Sequence, residues 1–332
     1  MSTTPRTILR AHLGWDADEG DVRFLAEALG DEAALTAGVD LPDPPRVDVL
    51  VAGRPKPEQV AACDGLRVLL IPYAGLPPET RTLMRDHPEV AVHNIHHNAT
   101  PAAEMALALL LAAAKRIVPS DRALRENRWA GRGRASEAVL LEGRSALLVG
   151  FGSIGRRLAP ILRALRLSVT AVRSRLEATE IVDDTTVHPA GRLSDLLPDA
   201  QVVIVAAPLN DRTRGLLGRA ELARLPADAV LVNVARGPIV DEDALYEALR
   251  DGAIGAAGLD VWYRYAGADG DPENTPPSNR PFGELDNVVL SPHRGGSVRE
   301  TEALRMRHLA DMLRAAARGE SLANRVDLDL GY

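Results

Sequence analysis

Residues 146–157 read "ALLVGFGSIGRR", three glycines set between an aliphatic run and two arginines. Ala146 to Val149 is too short for a buried helix and suits a central strand, whereas "GRRLAPILRAL" after the glycines has the apolar spacing of a helix. A glycine turn between strand and helix leaves few folds open. Gly150 permits the tight turn, Gly152 lets a pyrophosphate approach the backbone, and Gly155 lets the helix lie close on the strand. The anion would then meet free N–H groups and the positive end of the helix dipole, which adds Ser153 and Ile154 to the expected cofactor contacts. A turn built only for packing is the competing reading of the same residues.

The flanking sequence favours the first reading. Before residue 100, short apolar runs alternate with helix-length stretches ("RTILRAHL", "DVRFLAEAL", "VDVLVAG", "RVLLIPYAG", "EVAVHN"), the pattern of parallel βαβ units. A long apolar segment, "PAAEMALALLLAAAKRI", starts with a proline suited to a first helical turn and can link two domains. Its "ALALLLAAA" stripe reads as core or as a subunit interface. The alternation then resumes in "SALLVG", "LSVTAV", "AQVVIVAA", "AVLVNVA", "GAAGLDV" and "NVVLSPH", six strands and enough for a doubly wound sheet. The segment "AGADGDPENTPPSNRPFG" reads as a covering or functional loop, and the tail from Ser297 as a helix returning to the first domain.

Composition narrows the partners. With 332 residues and 46% hydrophobic content the chain can build two cores. A net charge of −7 argues against nucleic acid or an anionic membrane surface and leaves small molecules. No apolar run approaches the ~20 residues of a membrane span, and "MSTTPRTILR" lacks the apolar centre of a secretory signal. Cys63 is the single cysteine, which fits a reducing cytoplasm.

Where the NAD form of the glycine motif carries an acidic residue about 20 positions on, this chain has Arg173, followed by Ser174 and Arg175. A carboxylate repels a 2′-phosphate and guanidinium groups bind one, so NADP(H) is expected over NAD(H). The plain alternative is that both arginines are solvated surface charges.

Hydride transfer to a carbonyl needs a group to polarise the oxygen, an anchor for any carboxylate and a proton donor. Arg236 in "VNVARGPIVDEDAL" and His293 in "NVVLSPHRGG" stand at strand ends, where open α/β sheets bind ligands. Asp241, Glu242 and Asp243 read as the start of a helix. His96 and His97 in "HNIHHNATPAAE" are adjacent and lack a carboxylate or cysteine to complete a metal site, so substrate-pocket or hinge packing is expected there rather than metal.

In order and spacing, "VGFGSIGRRLA", "PLNDRTRGLL", "VLVNVARGPIVDEDAL", "GLDV" and "LSPHRGG" make the chain resemble the D-isomer-specific 2-hydroxyacid dehydrogenases, among them phosphoglycerate dehydrogenases and glyoxylate/hydroxypyruvate reductases. The resemblance implies two Rossmann-like α/β domains, a dinucleotide-binding domain at 101–296 inserted into a discontinuous flavodoxin-like substrate domain at 1–100 and 297–332, with a cleft that closes over substrate. It also implies a homodimer. Arg236 would bind the substrate carboxylate and polarise its oxo group, with His293 as proton donor. Asp260 would stand on the nicotinamide side, and Pro208, Thr213 and Ala235 would line the cofactor groove. "LLIPYAGLP" takes the place of the substrate-carboxylate loop, implicating Tyr73, Ala74 and Gly75, with Asn98 as a further substrate contact.

The chain departs from the family where a glutamate usually stands five residues beyond the aspartate of "LDV", for here that residue is Tyr265. Glu273 or Glu284 would have to replace it; otherwise His293 keeps a lowered pKa and the pH profile shifts to acid. The reading is a reductase of a small anionic 2-oxo acid such as glyoxylate or hydroxypyruvate. Its alternatives are a dehydrogenase of a phosphonate or other unusual hydroxy acid, and a regulatory protein that binds NAD(P) without turnover.

Overall fold

The computed structural model describes residues 8–129, 132, 137–267, 271 and 273–332. The chain divides into two compact units, one formed by Met1–Asn98 with Arg299–Tyr332 and the other by Ala99–Val298. The second interrupts the first in sequence.

The first unit is a parallel five-stranded sheet: β1 (Leu9–Leu13), β2 (Ala33–Ala37), β3 (Val49–Val51), β4 (Val68–Ile71) and β5 (Ala91–Asn94). Their order, β2-β1-β3-β4-β5, is that of flavodoxin-like sheets. β3 is buried at every position, as a strand covered on both faces must be. β2 was not expected from the sequence, because an edge strand half open to solvent can be alanine-rich and irregular in polarity. The returning helix, Thr301–Arg318, buries Met306, Leu309, Ala310 and Leu313 in one cluster with Leu9, Leu13, Leu25 and Leu29. Arg314 Nε donates to the Ala28 carbonyl at 2.8 Å and fixes it against the helix Glu19–Leu29. The tail thus belongs to the first unit.

The second unit contains β6 (Ser145–Val149), β7 (Ser168–Arg173), β8 (Glu180–Val182), β9 (Thr185–Pro189), β10 (Val202–Val205), β11 (Val230–Asn233), β12 (Ala256–Leu259) and β13 (Val288–Leu290). Their order is β13-β12-β11-β10-β6-β7-β9-β8, with only β8 antiparallel to its neighbour. This is the doubly wound Rossmann order, and the strand order reverses between β6 and β10. The six expected strands are β6, β7 and β10 to β13. The β8–β9 hairpin is additional: its turn residues Asp183 and Asp184 both take positive φ, 50° and 58°, as tight two-residue hairpins require. No glycine announces that turn in the sequence.

Helix Ala99–Ala114 is core rather than surface, burying Ala103, Ala106, Leu109, Leu110 and Ala113. It lies so close to β12 that a Cβ on Gly258 would come within 2.7 Å of the Leu109 Cβ. Among the described residues no helix is long and apolar enough to cross a membrane. From this contact, Gly258→Val should lower the unfolding free energy by about 1–3 kcal/mol, the usual cost of overpacking. Urea denaturation would check it, and an unchanged midpoint would refute the close approach.

Candidate functional site

The glycine turn leaves β6 at the point where the strand order reverses, the position at which open α/β sheets leave a ligand crevice. Its three glycines do different work. Gly150 has φ +106°, and a Cβ on it would strike the backbone of Ala206 and Ala207 after β10 at 2.7–2.8 Å. A Cβ on Gly155 would lie 2.5 Å from the Gly150 carbonyl oxygen, so helix Ser153–Ala164 packs directly on the turn. Gly152 faces open space and, as N-cap, has no side chain to cover the N–H groups that begin the helix. Those features fit a pyrophosphate.

Around the cradle, Pro208 and Thr213 belong to a self-contained turn. The Thr213 hydroxyl donates to the Pro208 carbonyl at 2.7 Å and accepts from the Asn210 N–H at 2.8 Å. Ala235 is buried. At the end of β7, Arg173 pairs with Glu180 of β8 at 3.2 Å, a partner the sequence reading did not weigh. Arg175 follows in a left-handed conformation, φ 60°, just past Ser174.

Arg236, Asp260 and His293 follow β11, β12 and β13, three neighbouring strands, at their carboxyl ends. Buried Asn233 sets the turn that carries Arg236. Its Oδ1 accepts from the Ala235 N–H and its Nδ2 donates to the Arg236 carbonyl, both at 3.0 Å. Gly237 is required next, because a Cβ there would fall 2.3 Å from the Trp262 carbonyl oxygen. Asp260 is buried, and both of its oxygens are engaged by the His293 loop. Oδ1 accepts from the Ser291 hydroxyl at 2.5 Å and the Arg294 N–H at 3.0 Å, and Oδ2 from the Gly295 N–H at 2.8 Å. Trp262 Nε1 adds a bond to the Ser291 carbonyl at 2.8 Å. Asp260 therefore anchors the histidine loop. Asn233, Ser291 and Trp262 were missed by sequence reasoning. A buried polar residue at a strand end was the only signal available.

Tyr265 stands beside His293. Its hydroxyl accepts the Trp262 backbone N–H at 3.0 Å, and it is the ring, with centroid 5.3 Å from that of His293, that faces the imidazole. Burial pushes the Tyr265 hydroxyl above its ordinary pKa. His293 stands at φ 53°, and its pKa is lowered, first by desolvation and then by the Arg236 guanidinium, against an opposing effect of Asp260. Among the described residues Asp260 is the one carboxylate acting on His293, so neither Glu273 nor Glu284 takes the vacated place. The loop before it is tied at its far end, where Glu242 accepts from the Ser278 hydroxyl and the Asn279 N–H, both at 2.6 Å. Asp241 caps that helix through the Ala244 N–H at 2.8 Å. Residues 268–270 and 272 of the loop lie outside the described residues.

In the first unit, the loop after β4 carries Tyr73, Ala74 and Gly75. The Tyr73 hydroxyl lies over Gly53, where a Cβ would leave it no room, and the Ala74 carbonyl accepts from buried Asn94 Nδ2 at 2.7 Å. Asn98, half-buried, is the last residue before helix Ala99–Ala114. Buried His97 has its pKa lowered to about 4, by desolvation and then by Arg305, His308 and His96, so it is neutral at pH 7. Among the described residues no cluster of three metal-ligating side chains forms.

The family model for "D-isomer specific 2-hydroxyacid dehydrogenase, NAD binding domain" matches residues 107–295. Over 233 residues the chain is 35% identical to a glyoxylate reductase of Aeropyrum pernix, covering 69% of this chain and 66% of that protein. It is 34% identical over 239 residues to a D-3-phosphoglycerate dehydrogenase of Archaeoglobus fulgidus, covering 70% of this chain and 41% of the relative. The chain therefore matches well under half the length of that phosphoglycerate dehydrogenase. Among solved structures, a D-isomer specific 2-hydroxyacid dehydrogenase from Xanthobacter autotrophicus Py2, in complex with NADPH and MES, is 27% identical. Its TM-score is 0.77, over 98% of this chain and 100% of that one.

The charges around His293 give a signed prediction for its titration by NMR. In the wild-type protein the midpoint should lie below the ordinary value of about 6.5. Arg236→Gln, which removes a repelling cation, should raise it, and Asp260→Asn should lower it further. A midpoint unmoved by Arg236→Gln would show that the two side chains do not interact.

Proposed function

The chain belongs to the D-isomer specific 2-hydroxyacid dehydrogenase family, and from that premise we propose that it reduces small 2-oxo acids to D-2-hydroxy acids with a nicotinamide cofactor, NADPH by preference. The convergence of Arg236 and His293 at the carboxyl ends of β11 and β13, which flank β12 on the same sheet as the glycine cradle, carries this reading. Gly150, Gly152 and Gly155, with Ser153 and Ile154, would hold the cofactor pyrophosphate at the helix N-terminus. Arg173, Ser174 and Arg175 would face the adenosine 2′ position, and Pro208, Thr213 and Ala235 would line the groove. Bound there, the cofactor supplies a hydride.

The chain's own residues supply the rest. Arg236 binds the substrate carboxylate and polarises the 2-oxo group, for which a fixed, always charged guanidinium is suited. His293, held in place by the loop that Asp260 anchors, gives a proton to the developing alkoxide. Tyr265 acts on His293 through its ring, whose centroid lies 5.3 Å from that of the imidazole, while its hydroxyl accepts from the Trp262 N–H. On the first unit, Tyr73, Ala74, Gly75 and Asn98 are the proposed substrate contacts. Glyoxylate and hydroxypyruvate are the substrates to try first. The exposed apolar side chains of Ile117, Leu124, Trp129, Leu140 and Leu290 on the second unit support a homodimer formed through that unit. Buried Cys63, unpaired, fits a cytoplasmic setting.

Initial rates of NADPH and NADH oxidation with a panel of 2-oxo acids test the activity. His293→Ala should lower kcat by about 100- to 10,000-fold, the usual contribution of a general acid. Because the proton donor must be protonated and its pKa is lowered, the reduction rate should fall as pH rises through a midpoint below that of free histidine. Tyr265→Phe should leave this profile unmoved, while Tyr265→Ala, which removes the desolvating ring, should shift it upward. Tight cofactor binding with no turnover on any substrate would instead favour a regulatory protein. Light scattering should give the mass of a dimer, reduced to a monomer by Leu124→Arg with Trp129→Glu. A wild-type monomer would overturn the assembly proposal.

A further inference from the structure

The β8–β9 hairpin is appended to the sheet beside the place where the second strand delivers Arg173, and it is held there firmly. Arg156 pairs with Asp183 at 2.9 Å, and Arg163 donates to the Thr185 hydroxyl at 2.7 Å and the Asp183 carbonyl at 3.2 Å. Both arginines belong to helix Ser153–Ala164, which begins at the glycine cradle. The Thr179 hydroxyl and His188 Nδ1, 2.9 Å apart, close the hairpin's other end. In register, β9 places Pro189 opposite Arg173, and β8 places Glu180 opposite Val187. Glu180 therefore stands as a fixed anion, 3.2 Å from the Arg173 guanidinium.

We propose that Glu180 is a specificity-determining residue that limits the preference for NADPH by neutralising Arg173 and by repelling the 2′-phosphate that Arg173 would bind. The inference rests on the cofactor reading given above. A 2′-phosphate brings close to two negative charges, so it must displace Glu180 from Arg173 or share the guanidinium with it. The ribose hydroxyls of NADH bring no charge and are far less affected by the glutamate. The side chains are partly exposed, 33% for Arg173 and 43% for Glu180, so the effect is moderate and screened by salt.

Dissociation constants for NADPH and NADH, measured by fluorescence on the full chain, test this. Glu180→Gln should tighten NADPH binding about three- to tenfold, with the NADH constant changed by less than about twofold, and the gain should shrink at high salt. Glu180→Asp keeps the charge and should keep the wild-type ratio, which separates electrostatics from disturbance of the hairpin. Arg173→Gln should weaken NADPH selectively. If Arg173→Gln does so while Glu180→Gln leaves the ratio unchanged or weakens NADPH, the glutamate merely supports the arginine and the proposal fails with the cofactor reading intact. If Arg173→Gln leaves the ratio unchanged, the 2′-phosphate reading and the proposal fall together.

Discussion

The candidate site depends on the carboxylate of Asp260. Buried at the end of β12, it is held by the Ser291 hydroxyl and by the N–H groups of Arg294 and Gly295. A buried carboxylate is tolerated only with such partners, and all three lie in the loop that carries His293. The loop in turn holds His293 at φ 53°, a conformation that costs a non-glycine residue energy and persists only where surrounding bonds enforce it. Gly295 completes the arrangement, because a Cβ there would fall 2.6 Å from Asp260 Oδ2. The position of the imidazole is thus set by a charge it does not touch.

The same economy governs the cradle. Gly150 and Gly155 are demanded by backbone that presses on them, from Ala206–Ala207 and from the turn itself. Of the three, Gly152 alone has open space where a Cβ would stand, as the proposed pyrophosphate contact requires. Crowding at two glycines and clearance at the third favour the proposed phosphate cradle over a turn built only for packing.

Both sheets were largely legible in the sequence, because strands buried on two faces read as short aliphatic runs such as "VVIV" and "VLVN". Three outlying strands were not. Ala33–Ala37 and the β8–β9 hairpin are half-solvated, and Asp183-Asp184 takes the left-handed turn without glycine. Arg236 and His293 stood out by residue type at a strand end. The supporting contacts of Asn233, Trp262 and Ser291 depend on distances across three strands that no local pattern encodes. For the same reason, the sequence assigned Tyr265 to the place of a glutamate without showing that its hydroxyl is already engaged.

That last substitution changes the electrostatics of the site in a definite direction. A carboxylate beside an imidazole stabilises the protonated form, whereas an aromatic ring withdraws water and favours the neutral one. With Tyr265 at the ring of His293 and Arg236 adding positive charge nearby, the remaining support for the imidazolium is Asp260, whose oxygens are already committed to backbone and hydroxyl donors. On the proposed function, an anionic substrate would reverse part of this balance. A carboxylate on Arg236 would cancel the charge that repels the proton, and so raise the proton affinity of His293 in the proposed complex. On that reading the imidazolium would be favoured in the occupied site over the empty one, and the substrate would do part of the work of the missing glutamate.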